Sequence, residues 1–525
     1  MQAVRLPQWC GAHYRSITLP PRVQPSTEFI VKTHREESPA ARAEPAALPA
    51  QARWAIASLS LSMLLSALGT SIANVGLPTL VQAFGAPFAQ VQWVVLAYLL
   101  AITTVIVSVG RLGDLFGRRR LLLAGIGVFS AASVLCALAP SLAWLVAARA
   151  LQGVGAAVMM ALTMAFVGDT VPKARTGSAM GLLGTMSAVG TAMGPSLGGL
   201  LIAGWGWPAL FLVNLPLGLL AVVLAWRYLP ADPVGARGRG AGFDPLGTVL
   251  LALALAAYAL AMTAGSGRFG PLNLGLLLAA AVAGWWFVRT QARVASPLVP
   301  LAHFRDPALG AGFAMSALVT TVVMATMVVG PFYLSQALAL DAVRVGLAMS
   351  CGPLAAALTG FPAGRLADRL GSHRVTVAGL AAMAGGAVLM VLAPQAMGVA
   401  GYVVPLMIIT SGYAAFQTAN NTTVMGRVGA EHRGVVSGLL NLSRNLGLIT
   451  GASVMGAVYS FGVATAASTL RSGAVAFGMR LTFGVAAMLA LVSLLIASVA
   501  WHRARGSSLR DAAAAVAATA GGSRP

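Results

Sequence analysis

Long runs of apolar residues, separated by short polar segments, recur along most of the chain. Each run can cross a bilayer, which takes about 20 mostly apolar residues. Strict alternation of apolar and polar positions, which marks membrane β-strands, is absent from these runs, so they predict helices. The pattern predicts an all-α integral membrane protein. The fourteen predicted spans are residues 54–82, 88–109, 121–139, 141–167, 177–203, 208–229, 246–265, 271–291, 308–336, 343–363, 374–394, 399–425, 434–461 and 474–501.

The composition and the charge distribution agree with lipid as the main solvent. Of the 525 residues, 58% are hydrophobic and 9% are charged, against about a quarter charged in soluble proteins. The net charge of +21 comes mainly from arginines between the spans. With the N-terminus in the cytoplasm, the external loops carry only Arg268 and Arg471, and Arg344 lies at the external end of the tenth span, as the positive-inside rule requires. We therefore predict a multi-pass protein of the cytoplasmic membrane with both termini cytoplasmic and no nucleic-acid partner.

Two sequence motifs occur twice in the chain. "GRLGDLFGRRR" at 110–120 recurs as "GRLADRLGSHR" at 364–374, and "GLLGTMSAVGTAMG" at 181–194 recurs as "GLLNLSRNLGLITG" at 438–451. Such duplication is typical of two related helix bundles. The predicted organisation is a disordered cytoplasmic leader (1–53), an N-terminal six-helix half (54–229), linker loops with inserted spans 7 and 8 (230–307), a C-terminal six-helix half (308–501) and a disordered cytoplasmic tail (502–525).

The sequence offers little for catalysis or for metal binding. Cys10, Cys136 and Cys351 have neither ligand-like nor disulfide spacing. The sequence contains no "GxxxxGK[ST]" phosphate-binding loop and no HExxH motif. We therefore predict no cofactor, no metal and no enzymatic activity.

Four motifs carry a resemblance to a known family. They are "GRLGDLFGRRR", "RALQGVG" at 149–155, "GTAMGPSLGG" at 190–199 and "LGTSIANVGLP" at 68–78. Together they resemble the major facilitator superfamily, in particular its fourteen-span EmrB/QacA-like drug exporters. The resemblance implies the major facilitator fold, with two six-helix bundles plus two inserted helices. It also implies secondary active efflux of small amphipathic molecules by alternating access, as an antiporter exchanging cargo for protons.

The resemblance assigns a gating role to the repeated loop motif and to span 5. In similar transporters the carboxylate at Asp114 faces the N-terminal end of a helix in the other half, where the helix dipole favours negative charge. The alternative is that the loop arginines only orient the chain in the membrane. In span 5, glycines at i, i+4 and i+8 permit close helix approach. The predicted gating residues are Gly110, Asp114, Gly117, Arg118, Gly364, Asp368, Gly190, Gly194, Pro195 and Gly198.

Polar residues inside the spans are the candidates for cargo binding. Arg149 lies too deep in span 4 to reach the membrane surface, so it must find partners within the bundle. The alternative is a structural arginine bonded to neighbouring carbonyls. Span 1 carries a neutral polar stripe, and spans 12 and 13 carry stripes of amides around Arg444, for which helix-to-helix bonding is the alternative. The candidate binding residues are Thr70, Asn74, Arg149, Gln152, Gln417, Asn420, Asn421, Asn441, Arg444 and Asn445.

Acidic residues are absent from the interior of the predicted spans. Similar proton-coupled exporters often carry an Asp where this chain has Gly69, so the usual proton carrier is missing. Either a carboxylate at a span end carries the proton, with Asp114, Asp169 and Asp341 as candidates, or the protein is a facilitator. Arginines without an internal acid disfavour cationic cargo, so we predict neutral or anionic amphipathic cargo.

Two other functions remain open at this point. An uptake permease or metabolite facilitator would use the same fold. A non-transporting membrane sensor would need a soluble domain, and neither terminus is long or apolar enough to form one. The predicted partners are a small-molecule substrate, the lipid bilayer and protons, while a periplasmic adaptor is left open.

Overall fold

The computed structural model describes most of the chain that follows the predicted leader. The described residues are 49–170, 176–231, 244–264, 270–294, 297, 306–393, 397–428, 433–466 and 471–521. Residues 1–48 of the predicted leader and most of the two linker loops therefore lie outside the described residues, whereas residues 50–53 already belong to the first helix and are not disordered.

Every regular element of the described chain is a helix. The first half contains α1 (Ala50–Val75), α2 (Leu77–Phe84), α3 (Phe88–Val91), α4 (Trp93–Phe116), α5 (Arg118–Ala137), α6 (Leu142–Thr170), α7 (Thr176–Trp205), α8 (Ala209–Leu212) and α9 (Asn214–Tyr228). The inserted helices are α10 (Pro245–Thr263) and α11 (Pro271–Gln291). The second half contains α12 (Pro307–Phe332), α13 (Ala342–Leu370), α14 (Ser372–Leu392), α15 (Ala400–Gly426), α16 (Arg433–Thr450), α17 (Gly456–Thr465) and α18 (Arg471–Gly521). Two π-helical turns, Tyr333–Ala337 and Gly451–Met455, follow α12 and α16.

Thirteen helical segments of the described chain are long and apolar enough to cross a membrane. They coincide with thirteen of the predicted spans. The remaining one is α15, a helix of 27 residues whose mean hydropathy is lowered by Gln417, Asn420 and Asn421. The helical architecture that the sequence pattern predicts is therefore confirmed.

The two six-helix bundles repeat the same helix pairings. In the N-terminal bundle α1 packs against α7 and α9, and α6 packs against α4 and α5. In the C-terminal bundle α12 packs against α16 and α18, and α15 packs against α13 and α14. Each helix thus has the neighbours of its counterpart in the other bundle. The inserted α10 and α11 pack on each other, and α10 also contacts α4.

Glycines set equivalent helix crossings in the two bundles. A Cβ added at Gly155 of α6 would lie 2.7 Å from the carbonyl oxygen of Gly125 in α5. A Cβ added at Gly412 of α15 would lie 2.5 Å from the carbonyl oxygen of Gly379 in α14. Because backbones approach this closely only without a side chain, the same small-residue packing closes both bundles.

A hydroxyl bond also recurs between the bundles. Ser71 of α1 donates to the Gly190 carbonyl of α7 at 3.2 Å, and Thr321 of α12 donates to the Gly447 carbonyl of α16 at 3.1 Å. Hydroxyl donors of this kind supplement van der Waals packing between membrane helices. The duplication seen in the sequence motifs therefore extends to individual hydrogen bonds.

The inserted helices are joined at both ends by buried polar groups. Asp244 caps α10 by accepting from the Gly247 amide at 2.8 Å, and it also accepts from Gln291 Nε2 of α11 at 2.7 Å. At the opposite end, Asn273 of α11 donates to the carbonyls of Ala261 and Ala264 at 2.7 and 2.9 Å. Because all three polar side chains are buried and bonded, α10 and α11 form a fixed hairpin.

Two local predictions are refined by the structure. The first predicted span breaks into α1 and α2 at Gly76, which precedes Pro78, a residue without an amide hydrogen for the helix ladder. The predicted disordered tail is wrong for residues 502–521, because α18 continues as a helix to Gly521. An alanine-rich segment that extends an existing helix needs no new nucleus, which favours this continuation.

Candidate functional site

Arg149 is fully buried in the N-terminal bundle, where its guanidinium group is surrounded by neutral acceptors. Its Nε donates to the Val94 carbonyl at 2.8 Å, and its Nη2 donates to the Gly69 carbonyl at 3.1 Å. Its Nη1 donates to the side-chain oxygen of Gln152. These bonds join α6 to α1 and to α4. The geometry corresponds to the alternative interpretation of this residue, a structural arginine bonded to neighbouring carbonyls.

Two side chains that the sequence analysis did not single out complete this cluster. The guanidinium carbon of Arg149 lies 4.1 Å from the ring centroid of Tyr98, a cation–π contact. The Tyr98 hydroxyl donates to the Ser66 carbonyl at 2.8 Å, and Gln152 donates to Ser133 of α5 at 2.7 Å. Neither Tyr98 nor Ser133 belongs to a sequence motif that would indicate this role. We call Arg149, Gln152, Tyr98 and Ser133 the buried arginine cluster.

Gly69 lies at the edge of the buried arginine cluster. A Cβ added there would lie 3.0 Å from the Tyr98 hydroxyl oxygen and 3.3 Å from the ring of Phe129. A larger side chain at this position would therefore push against Tyr98 and Phe129. In this chain the Gly69 carbonyl, and not a carboxylate, faces Arg149.

The predicted polar stripe of α1 is mostly satisfied within the helix. Thr70 donates to the Ser66 carbonyl at 3.1 Å, and Asn74 donates to the Thr70 carbonyl at 3.0 Å. Thr70 is half-buried and Asn74 is buried. The Asn74 Oδ1 atom has no hydrogen-bond partner among the described residues.

The polar residues of α15 and α16 lie in a more accessible environment. With the Gln417 amide oriented so that its oxygen faces Arg444, this oxygen accepts from Nε and Nη1 of Arg444, each at 3.2 Å. Both residues are half-buried, as is Asn445, whereas Asn421 and Asn441 are exposed. We call Gln417, Arg444, Asn441 and Asn445 the open arginine cluster.

Asn420 does not belong to the open arginine cluster. It is buried and donates to the Gly312 carbonyl of α12 at 3.2 Å. Its amide therefore bonds two helices, α15 and α12, together. Helix-to-helix bonding was the stated alternative for the amides.

The glycine-rich face of α7 packs tightly against α1. A Cβ added at Gly190 would lie 2.6 Å from the Leu64 carbonyl oxygen, and one at Gly198 would lie 2.6 Å from Val75. Gly194, between them, faces Ser71. Close helix approach, as predicted from the spacing, is what these three glycines provide.

The adjacent face of α7 meets the other bundle. A Cβ added at Gly199 would meet the carbonyl of Ala342, and one at Gly346 would meet the carbonyl of Pro195. Backbones of α7 and α13 therefore touch across the junction of the bundles. One short segment of α7 thus holds α1 on one side and α13 on the other.

Aromatic side chains join the two bundles at the same end. The ring of Phe88 lies 4.8 Å from that of Phe332 and 5.5 Å from that of Tyr459, measured between centroids, both edge to face. Gln92 lies beside Gly456 in this region. On the orientation predicted from charge, this end is external, so the bundles are joined at their external ends.

The two repeated loop motifs form equivalent turns of one residue. Gly117 separates α4 from α5 with φ 92° and ψ 128°, and Gly371 separates α13 from α14 with φ 86° and ψ 142°. Glycine adopts a positive φ without steric cost, which explains its recurrence. Gly364 is half-buried, and Asp368 is exposed. Arg119, next to Arg118, donates to the Trp226 carbonyl of α9.

Of the four predicted gating and proton-carrying carboxylates, the structure describes the side chains of two, Asp341 and Asp368. The side chains of Asp114 and Asp169 and the surroundings of Gly110 lie outside the described part of the structure. Asp341 is exposed and caps α13, accepting from the Arg344 amide at 2.8 Å, with Arg344 Nε 3.4 Å from its carboxylate. This bonding gives Asp341 a structural role at the start of a helix.

Comparison with known proteins decides the family. The model of the Major Facilitator Superfamily matches residues 59–452, most of the chain. The chain belongs to the Major Facilitator Superfamily. It is therefore a multi-pass membrane transporter of a superfamily whose members are in general not enzymes. The resemblance drawn from the sequence motifs is confirmed.

Individual relatives of this transporter differ in what their names say they carry. The chain is 33% identical over 390 residues to multidrug resistance protein Stp of Mycobacterium tuberculosis, covering 74% of this chain and 72% of Stp. It is 28% identical over 402 residues to riboflavin transporter RibZ of Clostridioides difficile, covering 77% and 87%. Its fold matches the inward-facing crystal structure of a bacterial homologue of the lysosomal transporter Spinster, with TM-score 0.64, 16% identity and coverage of 86% and 98%.

Proposed function

We propose that this transporter exports small amphipathic molecules across the cytoplasmic membrane by alternating access, as an antiporter, with both termini in the cytoplasm. The observation that carries the proposal is the segment of α7 that packs glycine to backbone on both α1 and α13. In the resembled exporters this segment is typical of efflux and antiport. The similarity to the multidrug resistance protein Stp supports drug-like cargo.

The close contacts of α7 with α13 suggest how the bundles move. Because Gly199 and Gly346 each face a backbone carbonyl, the two helices fit at one separation and lose their contact when they tilt apart. Phe88 must separate from Phe332 and Tyr459 in the same movement. The proposed cycle therefore alternates between this joined external end and a state in which it is open.

The open arginine cluster supports a preference for neutral or anionic cargo. Arg444 is half-buried and its described bond is to the neutral amide of Gln417, so its charge is not cancelled there. A cation placed beside it would be repelled, and the repulsion grows in a medium of low dielectric constant. Carboxylate or phosphate groups, in contrast, suit the donor geometry of a guanidinium.

Counterflow in proteoliposomes tests this function. The purified protein is reconstituted with a neutral amphipathic dye, its carboxylate analogue and its quaternary ammonium analogue, with and without an imposed pH gradient. We expect flux of the neutral and anionic dyes, weaker flux of the cationic one, and a response to the gradient. If the gradient changes nothing, the antiport assignment to protons fails. If the cationic dye is carried as well as the neutral one, the cargo assignment fails.

The similarity to the riboflavin transporter RibZ favours a second candidate cargo, a metabolite, which the same fold could take up. Uptake by the same fold would use the same two bundles in the opposite direction. Intact cells expressing the protein separate the two functions. Export depletes the cells of riboflavin or dye, whereas uptake makes them accumulate it.

A further inference from the structure

A groove in the C-terminal bundle lies apart from both arginine clusters. It has a volume of about 730 Å³ and runs between the first turns of α12 and the later turns of α18. The α12 wall is formed by small residues, Gly310, Ala311 and Ala314. The α18 wall is formed by branched aliphatic side chains that include Leu495 and Val499, both largely exposed. The body of the groove is therefore apolar.

One end of the groove carries positive charge. Arg427, which follows α15, and Arg503 of α18 both line it, and both are exposed. Asp306 lines the same end, but its carboxylate caps α12 by accepting from the Ala308 amide at 2.9 Å. Two guanidinium groups and one capping carboxylate leave this end with net positive charge.

We propose that this groove binds an anionic phospholipid of the cytoplasmic leaflet. On the orientation predicted from charge, α12 begins and α18 leaves the membrane on the cytoplasmic side, so Arg427 and Arg503 lie at headgroup level. The lipid phosphate lies between these two arginines, which suit phosphate geometry. One acyl chain follows the apolar walls, which extend about 16 Å from Val492 to Arg503 at 1.5 Å per residue.

The pairing of charge and apolar surface distinguishes a lipid from other occupants. A soluble anion uses only the arginines, and the apolar walls contribute nothing to its binding. A helix from a second copy of this chain uses the small residues of α12 but has no need of the arginines. An anionic lipid uses both features in one molecule.

Native mass spectrometry of the purified, delipidated full-length chain tests the proposal. The probes are phosphatidylglycerol and phosphatidylcholine with identical acyl chains. We expect phosphatidylglycerol to bind more tightly. In the double variant Arg427→Gln, Arg503→Gln, its affinity should fall by about fivefold for each arginine removed. The matched control is Arg289→Gln, Arg293→Gln, which removes two exposed arginines near the end of α11 and should leave the affinity unchanged.

A steric variant tests the apolar part of the groove. Gly310→Leu, Ala314→Leu should reduce the binding of both lipids, while Ala281→Leu, on an exposed face of α11, should not. Equal binding of the two lipids, or an unchanged affinity in the double arginine variant, would overturn the proposal. So would a change of oligomeric mass in the steric variant, which indicates a second copy, or full competition by inorganic phosphate, which indicates a soluble anion.

Discussion

The two bundles share a skeleton but differ in chemistry at one equivalent position. In the N-terminal bundle, Arg149 of α6 lies over the ring of Tyr98 in α4. In the C-terminal bundle, the counterpart of Arg149 is Leu406 of α15, which precedes the crossing glycine Gly412 by the same number of residues as Arg149 precedes Gly155. The counterpart of Tyr98 is Gly352 of α13, which lies at the same distance before the repeated loop motif. A Cβ added at Gly352 would lie 3.0 Å from Leu406. A polar contact in one bundle thus corresponds to an apolar contact in the other.

This difference separates two kinds of arginine in the transporter. Arg149 is sealed and each of its three guanidinium nitrogens donates a hydrogen bond, so it holds α1, α4 and α6 together. The C-terminal bundle has an apolar core at the equivalent place, and its arginine, Arg444, lies in the half-buried open cluster instead. The comparison teaches that the buried guanidinium stabilises one bundle, while the half-buried guanidinium is the one that we propose contacts cargo.

The largest effect is expected from placing the arginine in the wrong bundle. Leu406→Arg buries a charge where Gly352, the counterpart of Tyr98, offers no ring. We expect destabilisation of about 4 kcal/mol or more, because an unpaired buried charge is far costlier than a bonded one. Thermal unfolding in detergent and yield after size exclusion measure it. Leu406→Met is the matched control and should cost less than about 1.5 kcal/mol. A folded, stable Leu406→Arg protein would break the comparison.

The converse change should be the second largest. Arg149→Leu gives the N-terminal bundle the side chain of its counterpart, but leaves the Gln152 side chain without its partner and a gap over Tyr98. We expect a loss of about 3 kcal/mol. The same unfolding measurement applies, with Arg444→Leu as control, for which a change within about 1 kcal/mol is expected at a half-buried site. Equal losses in the two variants would contradict the distinction between sealed and open arginines.

A smaller effect on binding is expected from the open cluster. Arg444→Gln removes the charge and keeps an amide near Gln417. We expect the affinity for an anionic dye to fall about tenfold, or about 1.4 kcal/mol, while its neutral analogue loses little. Equilibrium fluorescence binding measures both. Arg444→Lys keeps the charge and should restore part of the preference. If the neutral and anionic dyes lose affinity equally, Arg444 is not a charge-selective contact.

The smallest effect tests the equivalence of the bundles themselves. Gly117→Ala and Gly371→Ala each place a side chain at a positive φ, which costs about 1 kcal/mol or somewhat more. Because the two turns have matching dihedral angles, the losses should be similar. Gly127→Ala and Gly385→Ala, at open helical positions, are the controls and should be neutral or stabilising. Clearly unequal losses of stability at the two turns would show that the two bundles are not energetically equivalent, although their backbone dihedral angles match there.

The helices, the repeat and the two turns could be predicted from the sequence because each has a local signal. Apolar runs mark the spans, the repeated loop motif marks Gly117 and Gly371, and glycine spacing marks the face of α7 that meets α1. The break at Gly76 also has a local signal, the nearby Pro78, although the apolar pattern predicts one continuous span there. These features depend on residues that are neighbours in the chain or one helical turn apart.

The buried arginine cluster could not be predicted in the same way. The sequence indicates that Arg149 needs partners, but Tyr98 and Ser133 lie on other helices, and helix rotation decides whether they reach it. Asn420 shows the same limit, since its spacing with Gln417 suggested a shared cavity and its side chain instead bonds α12. The sequence analysis did not predict the helical end of α18, because residues 502–521 were considered separately from the membrane span that precedes them. That span is already helical, and the helix continues from it into the alanine-rich segment.

Thiol labelling tests the distinction between the two clusters most directly. Cys136 is buried near Arg149 and serves as a native reporter of the sealed cluster in a Cys10→Ser, Cys351→Ser background. Asn441→Cys, in a background that also lacks Cys136, reports on the open cluster. With a membrane-impermeant maleimide in inside-out vesicles, we predict rapid labelling at position 441 that cargo slows, and no labelling of Cys136. Equal labelling of both thiols, with cargo protecting Cys136, would contradict the account.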